Sequence, residues 1–370
     1  MPVSPLLVAV ALAAAPDPAA ELFAHKGPVP VVRITVDKEN LTLLRREPRK
    51  YVRCTVRVGD QTYRDVGIHI KGAAGSTRDW DDKPALTLNM DKFARGQTFR
   101  GLDKWHLNNS VQDGSALNEI LANELAAAIG LPHCRCTHAL VELNGRKVGL
   151  YVLKEGFDKK WLSRHFKDTT GNLYDGGFCQ DIDAPLKLDL GRDVGHKDLQ
   201  QLAKACRDGS RQKQYEAVSK LVDVDKFAAM TALQIVTSDW DGYTRKANNY
   251  RLYFEPNGKA VFVPHGMDQM WQNPHESLWP GCDSTVGRVI LNNPEGKKLA
   301  IAKLKELADQ HFTVEKMHAR IDLLVPRARE ALVAAGRRDW ADWFAGESRG
   351  LKDRIRQRVE YMKRELPRLK

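Results

Sequence analysis

Residues 250–264 constrain the fold of this chain more than any other stretch. Tyr250 to Phe254 and Lys259 to Pro264 are two strand-like runs, separated by Glu255-Pro256-Asn257-Gly258. The Asn-Gly pair supplies the positive φ values that a tight hairpin turn requires. A hairpin returns the chain to its starting point, so the residues that lead into it and those that follow it are brought together. Asp239, Asp241, Asn248 and Asn249 stand before it, and Asp268 stands just after. Two acids and an amide that converge in this way form a set of hard oxygen ligands. Such a set suits Mg²⁺ carried on a phosphate chain, because Mg²⁺ keeps several waters and takes one or two carboxylates besides the phosphates. The same residue types also cap ordinary turns, so spacing alone leaves both readings open.

Protein kinases divide base and metal duties among an Asp, an Asn several residues on and a second Asp beyond a hairpin. Their HRD and DFG signatures are absent here. The segment 238–271 instead resembles the signature of the spore-coat-protein-H (CotH) kinase-like family, in Trp240-Asp241-Gly242, Asn249-Tyr250 and Pro264-His265-Gly266-Met267-Asp268-Gln269. Leu117 to Pro132, Val141 to Phe166 and Gly171 to Gly176 resemble further family blocks in the same order. The likeness is strong from Val31 to Trp271 and looser over the C-terminal helices. Many members carry a second acid where Gly266 stands, so Asp268 alone must serve there.

The resemblance implies an α+β, two-lobed, atypical protein-kinase-like fold. Residues 28–155 would form a β-rich N-terminal lobe with one helix, and residues 156–370 a mainly helical C-terminal lobe that carries the segment 238–271. It implies ATP and Mg²⁺ as cofactors and phosphate transfer to Ser/Thr hydroxyls of an exported or surface protein. Asp241 would be the base, with Asp268 and Asn249 or Asn248 on the metal; family alignment favours Asn249. Lys83 matches the nucleotide-phosphate lysine, Glu155 the acid at the crossing between lobes, and Lys71 the basic Gly- and Ser-containing loop.

The helix expected from Ser115 to Ile129 bears on the nucleotide site. At 100° per residue, Leu117, Ile120, Leu121, Leu125, Ala128 and Ile129 share one apolar arc. Glu124 falls inside that arc and Glu119 opposite it. A carboxylate directed into an apolar face needs a partner, and Lys83 is the expected one. The strands Thr137–Leu143 and Lys147–Glu155 follow across an Asn144-Gly145 turn. Helices are expected over Lys159–Phe166, Leu199–Ala205, Gln212–Leu221, Val224–Ser238, Glu295–Ala308, Thr313–Ala335 and Leu351–Leu366, with Asp181, Asp183, Asp189 and Asp193 in loops.

With 370 residues, 42% of them hydrophobic, the chain has ample material for a core, and its formal net charge of +11 favours acidic partners, nucleotide among them. No aromatic-basic interleaving of the kind used by single-strand nucleic-acid binders is present. Residues 1–27 read as a signal peptide or disordered leader around the short apolar run Leu6–Ala15, which points to a secreted or periplasmic protein, or a cytoplasmic one if the leader is no signal. No segment has the apolar length of a membrane span. Cys134 and Cys136 lack a second close Cys or His pair and read as structural. Two rival functions stay open: a catalytically inactive binding module on the same fold, and a metal-dependent phosphoester hydrolase.

Overall fold

The computed structural model describes residues 17–369, except 193, 194, 257 and 280. Most of the leader, Asp193 and one residue of the 255–258 turn therefore lie outside the described residues. Up to Glu155 the chain is mainly strands: β1 (Val31–Thr35), β2 (Val52–Val58), β3 (Gln61–Lys71), β4 (Ala85–Asn89), β5 (Lys104–Asn108), β6 (Cys136–Leu143) and β7 (Arg146–Glu155). Helices α1 (Ala20–Phe23), α2 (Lys38–Arg46) and α3 (Asn118–Ala128) punctuate them.

These strands close into a barrel in the order β1-β2-β3-β4-β5-β7-β6, and the closing pair, β1 with β6, is parallel. Alternation explains the closure: Val32, Ile34, Ile68, Leu88, Val141 and Tyr151 belong to one apolar interior. The other face of β6 and β7 is apolar too, since Leu140, Leu150 and Val152 join a second core with α3. Strands covered on both faces read as near-continuous apolar runs. Asn144 and Gly145 join them with φ of +47° and +82°.

Beyond Glu155 come α4 (Lys159–His165), β8 (Asn172–Asp175), β9 (Lys187–Leu190), α5 (Lys197–Arg207), α6 (Arg211–Leu221), α7 (Val224–Val236) and α8 (Tyr243–Lys246). The predicted hairpin follows as β10 (Tyr250–Phe254) and β11 (Ala260–Pro264), then α9 (Thr285–Leu291), α10 (Pro294–Gln310), α11 (Val314–Ala334) and α12 (Arg338–Glu365). The hairpin sets Tyr250 opposite Pro264 and belongs to a four-stranded sheet, β11-β10-β8-β9. A mainly helical reading of this part thus understates it. β8 and β9 are four residues each, too short to show alternation, and Asp189, expected in a loop, lies on β9. One face of the sheet joins the large helical core through Tyr250, Leu252 and Phe262. The other packs on α4 through Leu173, Tyr253 and Val261. No helix among the described residues is long and apolar enough to cross a membrane.

Candidate active site

Helix α7 delivers the acidic segment. Asp223 caps its start by accepting from the Lys226 N–H at 3.0 Å. Every residue from Phe227 to Val236 is buried, which fixes its rotation. The chain leaves the helix through Ser238, in the left-handed region at φ +53°. Asp239 then sits beneath the loop, 3% exposed, its Oδ1 accepting from the Asp241 N–H at 3.3 Å. Burial, and next the charge of Asp241, push its carboxyl up to about 7. Gly242 has no room for a side chain, since a Cβ would lie 2.3 Å from Gln234 Nε2 and 2.4 Å from Asp239 Oδ2.

Asp241 is half-buried and accepts on Oδ2 from two amides, Asn248 Nδ2 and Asn249 Nδ2, each at 3.0 Å. The amides fix the plane of the carboxylate and leave Oδ1 turned away from them. Asn248 also uses its other end, because Oδ1 accepts from the Cys179 N–H at 3.2 Å. Asn249 binds Asp241 only through Nδ2, and its Oδ1 faces Gly266. Past β11 the His265 N–H donates to the Asn249 carbonyl at 3.0 Å, which ties the two ends of the hairpin. Helix α3 holds the next turn, Asn118 Nδ2 donating to the carbonyls of Asp268 at 2.9 Å and Met270 at 3.2 Å. Burial, then Glu119, push Asp268 up to about 7, and Asp268 in turn adds to the rise at Asp239. The hairpin therefore brings Asp239, Asp241 and Asn249 together at its base, with the Asp268 turn, held by α3, just past β11.

Facing them are two lysines from the barrel. Lys154 shares the outer face of β7 with Leu150 and Val152, and its Nζ lies 2.5 Å from Glu119 Oε1 and 3.3 Å from His265 Nδ1. The two charged groups are 0% and 2% exposed. Burial opposes the charge on Lys154, but Glu119 outweighs it and holds the ammonium above its usual range. Burial likewise opposes Glu119, yet Lys154 and Lys71 carry it below the usual carboxylate range. Lys71, at the end of β3, donates to Asn108 Oδ1, and Asn108 Nδ2 donates to Glu119. Burial brings Lys71 down to about 8, with Glu119 and Asp268 pulling the other way.

Three sequence expectations need correction or relocation. Glu124 does not pair with Lys83; it is half-exposed and takes Arg320 of α11, at 2.8 and 2.5 Å. Helix α3 buries Asn118, Glu119 and Asn123 as well as its apolar residues, so it has no broad solvent side and an apolar arc marks no unique inward direction. Lys83 extends its ammonium over the Tyr151 ring, 5.3 Å from the centroid, and burial lowers it to about 8. Glu155 accepts from the backbone N–H of Arg135 at 2.7 Å and its Nε at 2.9 Å, and from the Arg164 guanidinium. Both its oxygens are thus held by protein, and the residue anchors β7 to α4. Lys154, Glu119 and Asn118 are what sequence reasoning missed, and Asp239 was noted there without a role. The available signal was a lysine on the α3-facing side of a strand otherwise apolar on both faces.

The donor chemistry of the hairpin base fits Mg²⁺. Asp268 is a half-buried carboxylate whose ionisation is disfavoured by burial and neighbouring acids, and Asn249 Oδ1 is a hard amide oxygen beside the same turn. Among the described residues no group of three or more His, Cys, Asp or Glu has metal-holding geometry, and a phosphate-borne Mg²⁺ needs none. A cavity of about 530 Å³ lies elsewhere, between the outer face of β1, β6 and β7 and helices α11 and α12, and includes none of these groups.

A family model described as CotH kinase protein matches residues 68–362. Inner spore coat protein H of Bacillus subtilis (strain 168) is 25% identical over 300 residues, 73% of this chain and 80% of that protein. Among solved structures, the Helicobacter pylori proinflammatory kinase CtkA is similar at 12% identity and a TM-score of 0.35, covering 79% of this chain and 96% of that one.

Proposed function

We propose, for a chain that belongs to the CotH kinase protein family, that the base of the β10–β11 hairpin and the facing barrel lysines bind ATP with Mg²⁺ and transfer its γ-phosphoryl group to a Ser or Thr hydroxyl of a protein. The observation that carries this reading is the amide-clamped Asp241 at the start of the hairpin and the Asp268 turn at its end, the latter tied to α3, which also carries Glu119 of the buried Lys154–Glu119 pair. On this reading the barrel and the second block act as the two lobes of a kinase-like enzyme, with the nucleotide between them.

Phosphoryl transfer asks little covalent chemistry of a protein; positioning and charge placement supply most of the rate. Asp241 accepts the proton of the incoming hydroxyl on the oxygen that Asn248 and Asn249 leave unclamped. Lys71, a half-buried residue whose ammonium is held by Asn108, supplies the positive charge to phosphate oxygens. Lys154, saturated by Glu119, fixes the position of α3 and through Asn118 that of the Asp268 turn. Asp268 and Asn249 would hold Mg²⁺, which when bound neutralises charge on the phosphate oxygens. Lys83, over the Tyr151 ring, is replaced in this scheme by Lys71. Export through the N-terminal leader remains part of the proposal.

Gly266 favours one rival, a catalytically inactive binding module on the same fold, because it leaves the Asp268 turn without a second acid. Transfer of label from γ-labelled ATP separates them, and calorimetric titration tests the nucleotide and metal assignments. Wild-type protein is expected to bind ATP more tightly with Mg²⁺ than with EDTA, and Asp268→Ala to lose that difference. Equal affinity in both conditions would overturn the metal assignment, and no ATP binding would overturn the kinase reading.

A further inference from the structure

Phe178 and Trp240, two of the large apolar side chains that the fold leaves in solvent, at 60% and 38% exposure, stand on the two segments that Asn248 ties together at Asp241. Trp240 is its chain neighbour. Phe178 precedes Cys179, whose N–H donates to Asn248, the residue that in turn clamps Asp241. Neither aromatic owes its exposure to loose backbone. Trp240 follows the buried Asp239, and both segments pass through left-handed non-glycine positions, Cys179 at φ +51° and Ser238 at φ +53°. Around Phe178, the Gln180 carbonyl accepts from the Tyr250 hydroxyl at 2.8 Å, and Asp181 accepts from the Tyr243 hydroxyl at 2.8 Å and the Thr285 N–H at 2.6 Å. One exposed aromatic is ordinary. Two, on constrained segments joined through Asn248 at the same carboxylate, form a platform.

We infer that Phe178 and Trp240 dock the protein acceptor, gripping apolar side chains next to the reacting Ser or Thr of an extended segment. This rests on the phosphoryl-transfer reading of Asp241. An extended chain rises about 3.3 Å per residue, so side chains within a few positions of the hydroxyl reach both aromatics while the hydroxyl meets Asp241. The acceptor class is therefore a flexible polypeptide with apolar residues beside its Ser or Thr, rather than a purely Ser-rich tract.

Two synthetic peptides test this, one with Leu and Phe flanking a single Ser and one with Gly flanking it. The apolar-flanked peptide is expected to show the lower KM, by about tenfold for a well-packed apolar contact. Phe178→Ser and Trp240→Ser should each raise that KM and erase the preference, while the KM for ATP holds; Trp343→Ser, exposed on α12, should change neither. A measurement on wild-type protein removes dependence on variant folding. Cys179 is exposed, whereas the other cysteines are buried or half-buried, and saturating apolar-flanked peptide should slow its alkylation by N-ethylmaleimide, read by mass spectrometry. Transfer to both peptides with equal KM and an unprotected Cys179 overturns the inference while the kinase reading stands. If no peptide is phosphorylated, the kinase reading fails on its own, and Cys179 protection alone decides docking. Protection that rises with protein concentration and needs no peptide would assign the surface to a second copy of this chain instead.

Discussion

Lys154 and Glu119 lie 2.5 Å apart with almost no solvent access. Removing one member of a buried pair strands the other, which typically costs about 3–5 kcal/mol, whereas replacing both with apolar groups is often close to neutral. Lys154→Met should therefore lower stability by that amount in chemical denaturation, and Lys154→Met combined with Glu119→Leu should recover much of it. Asp239 supplies a pH signature. Its folded-state value of about 7 exceeds the ordinary 3.8, so between those values the native protein holds a proton that the unfolded chain has released, and stability falls as pH rises through the window. Asp239→Asn keeps an acceptor for the Asp241 N–H and removes the titration. Its melting temperature should drop less between pH 5 and pH 8 than that of the wild type; equal drops would show that Asp239 is not buried as a charge. The acids and amides of this site were legible in the sequence because Asp241, Asn249 and Asp268 bracket a hairpin written by Asn-Gly. Asp239 was not, since nothing in Asp239-Trp240-Asp241 says which acid turns inward.

Among the elements, α3 and the hairpin carry the site together. Asn118 joins them through two carbonyls beyond β11, so Asn118→Ala should weaken Mg²⁺-dependent nucleotide binding and cost about 1–3 kcal/mol, the penalty for stranding buried acceptors. Gly266 tests whether the turn accepts a second acid. It sits at φ +62°, where a Cβ would lie 2.5 Å from Asn249 Oδ1, so Gly266→Asp should destabilise the fold by about 1 kcal/mol or more and displace Asn249. A stabilised variant with tighter Mg²⁺ dependence would show instead that the turn accepts the second acid. The β6–β7 hairpin and helices α4, α6, α7, α10 and α11 were legible because their periodicity spans two turns or several strand positions. Helix α3 was located but misoriented, because burial on nearly all sides erases the polar face from which orientation is read.

For the whole molecule, the C-terminal helices are part of the same body as the site. Leu351, Ile355, Val359 and Met362 of α12 share a core with α3 and α7, and the family match runs to residue 362. Arg358, fully buried, donates to the carbonyls of Ile235, Pro274 and Glu276, the first of them on α7 just ahead of the acidic segment. Arg358→Met should leave those carbonyls without a donor and lower the unfolding midpoint while lowering nucleotide affinity in parallel; a stability loss with intact affinity would separate α12 from the site. The β-rich first part was readable from alternation, but its closure into a barrel was not, because the β1–β6 pairing joins strands far apart in sequence. The central claim is phosphoryl transfer with Asp241 as base, and single-turnover transfer of label from γ-labelled ATP with Mg²⁺ to a Ser-containing polypeptide tests it most directly. The expected result is transfer by wild-type protein and a loss of about 10²- to 10⁴-fold in Asp241→Asn, with ATP affinity retained. Full transfer by Asp241→Asn, or none by a wild type that binds ATP and Mg²⁺, would contradict it.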